Sequence, residues 1–330
     1  MALRMHPSMV AHEQRSTRLV VQIDTQQLPS PGSGSRHSPA AASMTGVVQV
    51  RVSGRAGCGR RTVTRVLREA GVTIVDPLDD ADLDIYVFAE VLKPEDRRAL
   101  SGSIRPVVAV LNKADVTGFG GAGPIAKAAE RCRLLGDRVY PLAALAALAA
   151  VDDSVVDNEM LDALRALTTD PADLGSTDRF AAGEHRISGA LRQRLLADLD
   201  LFGIAHAVLA LRDGADRAGV LAALRRASAL DGLLAGIDAA AASVRYERLA
   251  DSAPVAARMA AAIEVVRAAG LTVDSGGSAA QHLHRAIVWQ RYSRGPVSRL
   301  HGRCGADIAR GSLRLWERAG GVPEPLELEP

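Results

Sequence analysis

Two short segments carry residue types and spacings able to do chemistry. The first is Gly54-Arg55-Ala56-Gly57-Cys58-Gly59-Arg60-Arg61-Thr62. Glycines let successive backbone N–H groups turn toward an anion, and a helix opening at the end of such a loop adds the positive end of its dipole. Gly54 and Gly59 have the spacing of the first half of the phosphate loop G-x-x-x-x-G-K-[ST]. The second half departs from it. Arg60 stands at the lysine position, Arg61 at the position of the Mg²⁺-binding hydroxyl, and Thr62 comes one residue late. Arg60 keeps a cation for phosphate, whereas Arg61 cannot ligate a metal. The second segment is Asn112-Lys113-Ala114-Asp115. An aspartate there accepts from both N–H donors on the Watson–Crick edge of guanine, a donor pair that adenine lacks. The lysine stem covers the flat face of the base, and the asparagine braces the loop.

The glycines admit two other readings. Gly57-x-Gly59, a helix, and then Val72 to Val75 ending in Asp76 has the layout of a dinucleotide-binding unit. Asp76 is then the ribose carboxylate, with Thr62 replacing the third glycine. That reading makes the chain an NAD(P)-dependent oxidoreductase with a Rossmann-like N-terminal domain, and it gives Asn112 to Asp115 no role. In the other, the loop is a turn that binds nothing, and the chain is a non-enzymatic adaptor.

Positioning either segment requires strands that feed loops at their carboxyl ends. Val47 to Val52 is a β-branched run that enters the glycine loop, and Thr62 to Ala70 reads as a helix stopped by Gly71. Val72 to Val75, Asp84 to Val91, Val107 to Leu111 and Val139 to Leu142 read as strands. Pro94 to Leu100 and Ile125 to Leu135 read as helices between them. Strands alternating with helices predict an α/β domain with a mostly parallel, phosphate-loop-like sheet over residues 46–150. From 151 to 320 the pattern is helical throughout, with Asp231-Gly232 expected to break a helix before Leu233. Residues 1–45 and 321–330 read as disordered tails, with Leu19 to Ile23 as an alternative short strand.

Composition excludes several classes. A formal net charge of +2 and 3% aromatic residues argue against a dedicated nucleic-acid binder. Three widely spaced cysteines make no disulfide framework, and no apolar run reaches the ~20 residues of a membrane span. A cytoplasmic protein is expected, with peripheral membrane contact an option. Arg299, Arg303, Arg310, Arg314 and Arg318 share one helix face, a stripe suited to an anionic membrane surface or an acidic protein partner. His282, His284, His301 and Cys304 lack a zinc spacing, and no metal site is expected from them. Of 40 basic residues only Lys93, Lys113 and Lys127 are lysines, so a lysine inside a motif is the more telling cation.

Asp84-Ile85-Tyr86-Val87-Phe88, Pro94 to Leu100, and Pro106 to Asp115 together resemble the stretch of translation-factor-related small GTPase domains that leads into their guanine-specificity motif. The helical half, with Leu201-Phe202-Gly203-Ile204-Ala205 and Leu224-Arg225-Arg226-Ala227-Ser228, is similar in layout to bacterial, actinobacterial-type dynamin-like GTPases. The resemblance implies GTP or GDP as ligand, with Gly54, Gly57, Gly59, Arg60 and Thr62 at the phosphate end and Asn112, Lys113 and Asp115 at the base. It also implies Mg²⁺, whose hydroxyl ligand is lost here. The family's switch threonine, β-hairpin and Asp-x-x-Gly motif are missing from the interval between Thr62 and Asp84. The expectation is a degenerate domain that binds guanine nucleotide weakly or has lost binding, with slow hydrolysis or none, acting through the helical domain on a protein or membrane partner.

Overall fold

Alternating burial begins at Val48 and continues through Val50 and Val52, the inward residues of the first strand. The computed structural model describes residues 46–76, 79–116, 123–136 and 138–322. The tail expected over 1–45, with its Leu19 to Ile23 alternative, and residues 323–330 of the second tail lie outside the described residues. Strands β1 (Val50–Gly54), β2 (Leu83–Ala89), β3 (Val107–Asn112) and β4 (Val139–Leu142) form one sheet in the order β1-β2-β3-β4. Every pairing is parallel. Parallel strands are covered on both faces, which is why β2 and β3 read as nearly unbroken apolar runs.

The segment Val72 to Val75 makes less than the strand expected of it. A single bridge joins Ile74 to Val50. Val50 N–H donates to Thr73 O at 2.9 Å, and Val75 N–H donates to Val50 O at 3.0 Å. It borders β1 on the side away from β2. The chain therefore leaves β1 first toward one side and then toward the other, the topological switch at which open α/β sheets bind ligands.

Helix α1 (Arg60–Glu69) begins two positions before the expected start and buries Val63, Val66 and Leu67. Helices α2 (Pro94–Ser101) and α3 (Pro124–Leu135) connect the next strands. Alanine-rich α4 (Ala144–Val151) follows β4 and packs against α1. The remaining helices are α5 (Asn158–Thr169), α6 (Thr177–Ala182), α7 (Gly189–Arg212), α8 (Arg217–Ala227), α9 (Leu230–Ala250), α10 (Val255–Ala268), α11 (Ala279–Ser293) and α12 (Arg299–Arg318). The fold is thus a parallel α/β sheet followed by a helical region.

Strands give way to helices before residue 150, but the apolar core runs across that point. One apolar core extends from Val48 to Val244, and a second from Ala242 to Ala309. Helix α9 belongs to both and lies along β4, β3 and β2. Its Gly236 faces Tyr140 so closely that a Cβ would fall 2.3 Å from the ring. The break expected at Asp231-Gly232 falls earlier. Ala229 takes a left-handed conformation (φ 63°), and both residues sit in the first turn of α9. The carbonyl of the buried Ser228 accepts from Ala143 N–H at 3.1 Å, which pins that junction to the end of β4.

No single helix among the described residues is long and apolar enough to cross a membrane. In the arginine stripe, Arg303 pairs with Asp251 at 3.0 Å and Arg310 with Asp307 at 2.8 Å. His282 Nδ1 lies 2.7 Å from Arg285 Nη2, His301 Nδ1 lies 2.9 Å from Tyr292 Oη, and Cys304 is buried.

Candidate nucleotide site at the strand ends

The glycine loop runs from the end of β1 into α1. Two of its glycines are required by close approach. A Cβ on Gly54 would fall 2.2 Å from Val87 O, and one on Gly59 would fall 2.3 Å from Asn112 Nδ2. Both have positive φ, 146° and 79°. Gly57 shares the left-handed conformation, but a side chain there would meet open space.

Asn112 ends β3 and is buried, and its Nδ2 donates to Cys58 O in the glycine loop at 2.9 Å. The two segments singled out by sequence are therefore one constellation. The other amide atom, Oδ1, is buried with no hydrogen-bond partner among the described residues. A buried acceptor left unmade is costly. Lys113 takes φ 57° and is exposed. Asp115 sits in the 3₁₀ turn Ala114–Val116 and is half-buried.

These residues open onto a cavity of about 300 Å³, at the small end of the range for ligand sites. Gly59 and Thr62 line it from the loop and α1, and Asn112, Lys113, Asp115 and Val116 line it from the turn after β3. Ala143 to Ala146 contribute from the turn after β4, and Leu199, Asp200 and Phe202 from α7. Among the residues expected at the site, the cavity joins Gly59, Thr62, Asn112, Lys113 and Asp115. Gly54, Gly57 and Arg60 lie along the loop outside its lining.

The cations of the loop are directed elsewhere. Arg60 Nη1 donates back to Gly54 O at 3.5 Å. Arg55 Nε donates to Asp96 Oδ1 at 2.7 Å, joined there by Tyr86 Oη at 2.8 Å. Lys93 N–H donates to the other oxygen of Asp96 at 2.8 Å. Burial raises the Asp96 carboxyl, but these donors, led by Arg55, outweigh it and hold the group below its ordinary value. Burial and the bond to Asp96 push the Tyr86 phenol up to about 12. Arg61 is exposed on the first turn of α1. Asp76, the alternative ribose carboxylate, is exposed past the edge segment and is not in the cavity lining. Of the nearby acidic cluster, Asp79 and Asp80 are exposed, while Asp82 pairs with Arg248 of α9 and accepts Gln49 N–H at 2.7 Å.

The contribution of α7 was not expected from sequence. Its helical path breaks at Asp200 (φ 57°, ψ 173°). Asp200 Oδ1 accepts from the adjoining Leu201 N–H at 2.6 Å. The break turns Leu199, Asp200 and Phe202 toward the guanine-type motif. Burial raises the Asp115 carboxyl above its ordinary value. The Asp200 charge adds to that, while the backbone N–H of Asp115 and Lys113 oppose it. The turn after β4 was also missed, since Ala143 to Ala146 carry no polar side chain. The rule that ligands sit at the carboxyl ends of strands was the available signal.

No family model, curated protein or solved structure matches this chain.

Proposed function

We propose that the chain is a degenerate GTPase-like protein that binds a guanine nucleotide weakly, with slow hydrolysis or none, and acts through its helical region on a protein partner or membrane surface. The observation that carries the reading is the tie between Asn112 and the Cys58 carbonyl, beside a cavity lined by Asn112, Lys113 and Asp115. In this reading Asp115 accepts from the base, Lys113 covers its face, and Gly54, Gly57, Gly59 and Arg60 serve the phosphate end.

The residues do not fit a protein-held Mg²⁺. An exposed arginine, Arg61, stands at the ligand position, and the next hydroxyl, that of Thr62, comes one residue late. No step is assigned to the metal.

Titration calorimetry with GTP, GDP, ATP, NAD⁺ and NADP⁺ tests the reading. Guanine-selective binding that disappears in Asp115→Ala is the expected result. NAD(P) binding would favour the oxidoreductase, for which Asp76 lies outside the cavity. Silence toward all five would favour an adaptor that kept only the scaffold.

A further inference from the structure

The cavity reaches Gly59 and Thr62 at the loop, but its lining contains neither Arg60 nor Arg61. Into the same lining α7 adds two groups suited to a nucleoside. Phe202 brings an aromatic ring to the lining, in edge contact with His206 at 4.4 Å between centroids, and stacking on an aromatic ring is tolerant of any base. Asp200 offers a carboxylate. One of its oxygens accepts from Leu201 N–H, and the other has no hydrogen-bond partner among the described residues. Two carboxylates, Asp115 and Asp200, thus line one small cavity, with Lys113 beside them. Carboxylates accept, so the pair suits a ligand that presents N–H and O–H donors. Guanine presents such donors on its Watson–Crick edge, and ribose adds two hydroxyls.

Resting on the guanine reading above, we propose that the site recognises the nucleoside and not the phosphate chain, with Asp200 accepting from the ribose hydroxyls and Phe202 covering the base. Affinity then comes from the base and sugar, and the phosphates run out along a loop whose Arg55 is held by Asp96 and whose Arg60 lies outside the cavity lining. The helical region thereby becomes part of the binding site and not only its reporter.

The test is calorimetry of the full chain with guanosine, 2′-deoxyguanosine, GDP and GTP, each with and without Mg²⁺. Guanosine, GDP and GTP are expected to bind within about tenfold of one another, with no requirement for Mg²⁺. 2′-Deoxyguanosine is expected to bind several-fold more weakly than guanosine. Asp200→Asn is isosteric and keeps Oδ1 to accept from Leu201 N–H. It should melt no lower than the wild type and lose about tenfold in guanosine affinity. GDP or GTP binding more than a hundredfold tighter than guanosine would overturn the inference while leaving the guanine reading intact. Unchanged or improved guanosine binding by Asp200→Asn would do the same. Failure of every guanine compound to bind would remove both.

Discussion

Asn112 and Cys58 are joined by a 2.9 Å hydrogen bond from the amide Nδ2 to the main-chain carbonyl, across 54 positions of sequence. Replacing Asn112 with alanine leaves a buried carbonyl without its donor and frees the glycine loop from β3. The expected cost is about 1–3 kcal/mol of stability, read by denaturant unfolding. Loss of guanine-nucleotide binding should accompany it.

Gly57 and Gly59 form a matched pair for testing the same contact. Both have φ 79°, but only Gly59 faces Asn112. Gly57→Ala is expected to cost about 1–2 kcal/mol, the penalty for a left-handed alanine. Gly59→Ala should cost clearly more, about 3 kcal/mol or above, because the new methyl displaces Asn112 as well. Equal losses in the two variants would show that the loop and Asn112 are not in close contact.

Asp115 is held in conflict with its surroundings. Its carboxyl is raised from an ordinary value of 3.8, first by burial and further by Asp200. A carboxyl that is easier to protonate in the folded chain costs nothing below its unfolded value. Its ionisation costs stability as pH rises, and the cost is complete above the folded value. Asp115→Asn should therefore raise the melting temperature of the ligand-free protein at pH 7, and the gain should shrink as pH falls toward 3.8. The same variant should lose guanine selectivity. A residue whose removal stabilises the fold while abolishing binding is the signature of a functional site.

The Asp96 network works with the opposite sign. Its carboxyl is held below the ordinary 3.8 despite burial, chiefly by Arg55 and by Lys93 N–H. Its contribution is fully present above pH 3.8 and is lost as pH falls through the lower folded value. Asp96→Asn should blunt the acid limb of a stability-versus-pH curve. Asp96→Ala, which strands Tyr86, Arg55 and the first turn of α2, should cost about 2 kcal/mol or more at neutral pH.

Hydrolysis offers the most direct challenge. With Arg61 in place of the hydroxyl ligand, purified protein supplied with GTP and Mg²⁺ is expected to release phosphate no faster than the buffer control. Brisk turnover abolished by Asp115→Ala would overturn the view that the domain is degenerate.

What could be read from the sequence follows from chemistry and periodicity. The apolar run Val107 to Leu111 and the polar quartet after it located both β3 and Asn112 to Asp115, because the two signals abut. The glycine loop was legible because Gly54 and Gly59 answer to backbone constraints. The parallel strands and most helices of the second half followed from apolar spacing. Asp200 was not legible, since its part depends on a backbone break inside a continuous leucine-rich helix pattern. The turn Ala143 to Ala146 was silent because it shapes the cavity with backbone and methyl groups alone. Asp231-Gly232 misled, since the junction is fixed by Ala229 and by the Ser228 carbonyl bonded to Ala143 N–H.

Helix α9 covers the sheet from about 100 residues beyond β4. A ribosome adds about 5–20 residues each second. Roughly 5–20 s of synthesis therefore separate the last strand from the helix that shields its apolar face. During that interval Leu142, Val110 and Ile85 wait without α9. A chain terminated after α4 would never acquire it and is expected to collect in the insoluble fraction, where the full chain does not.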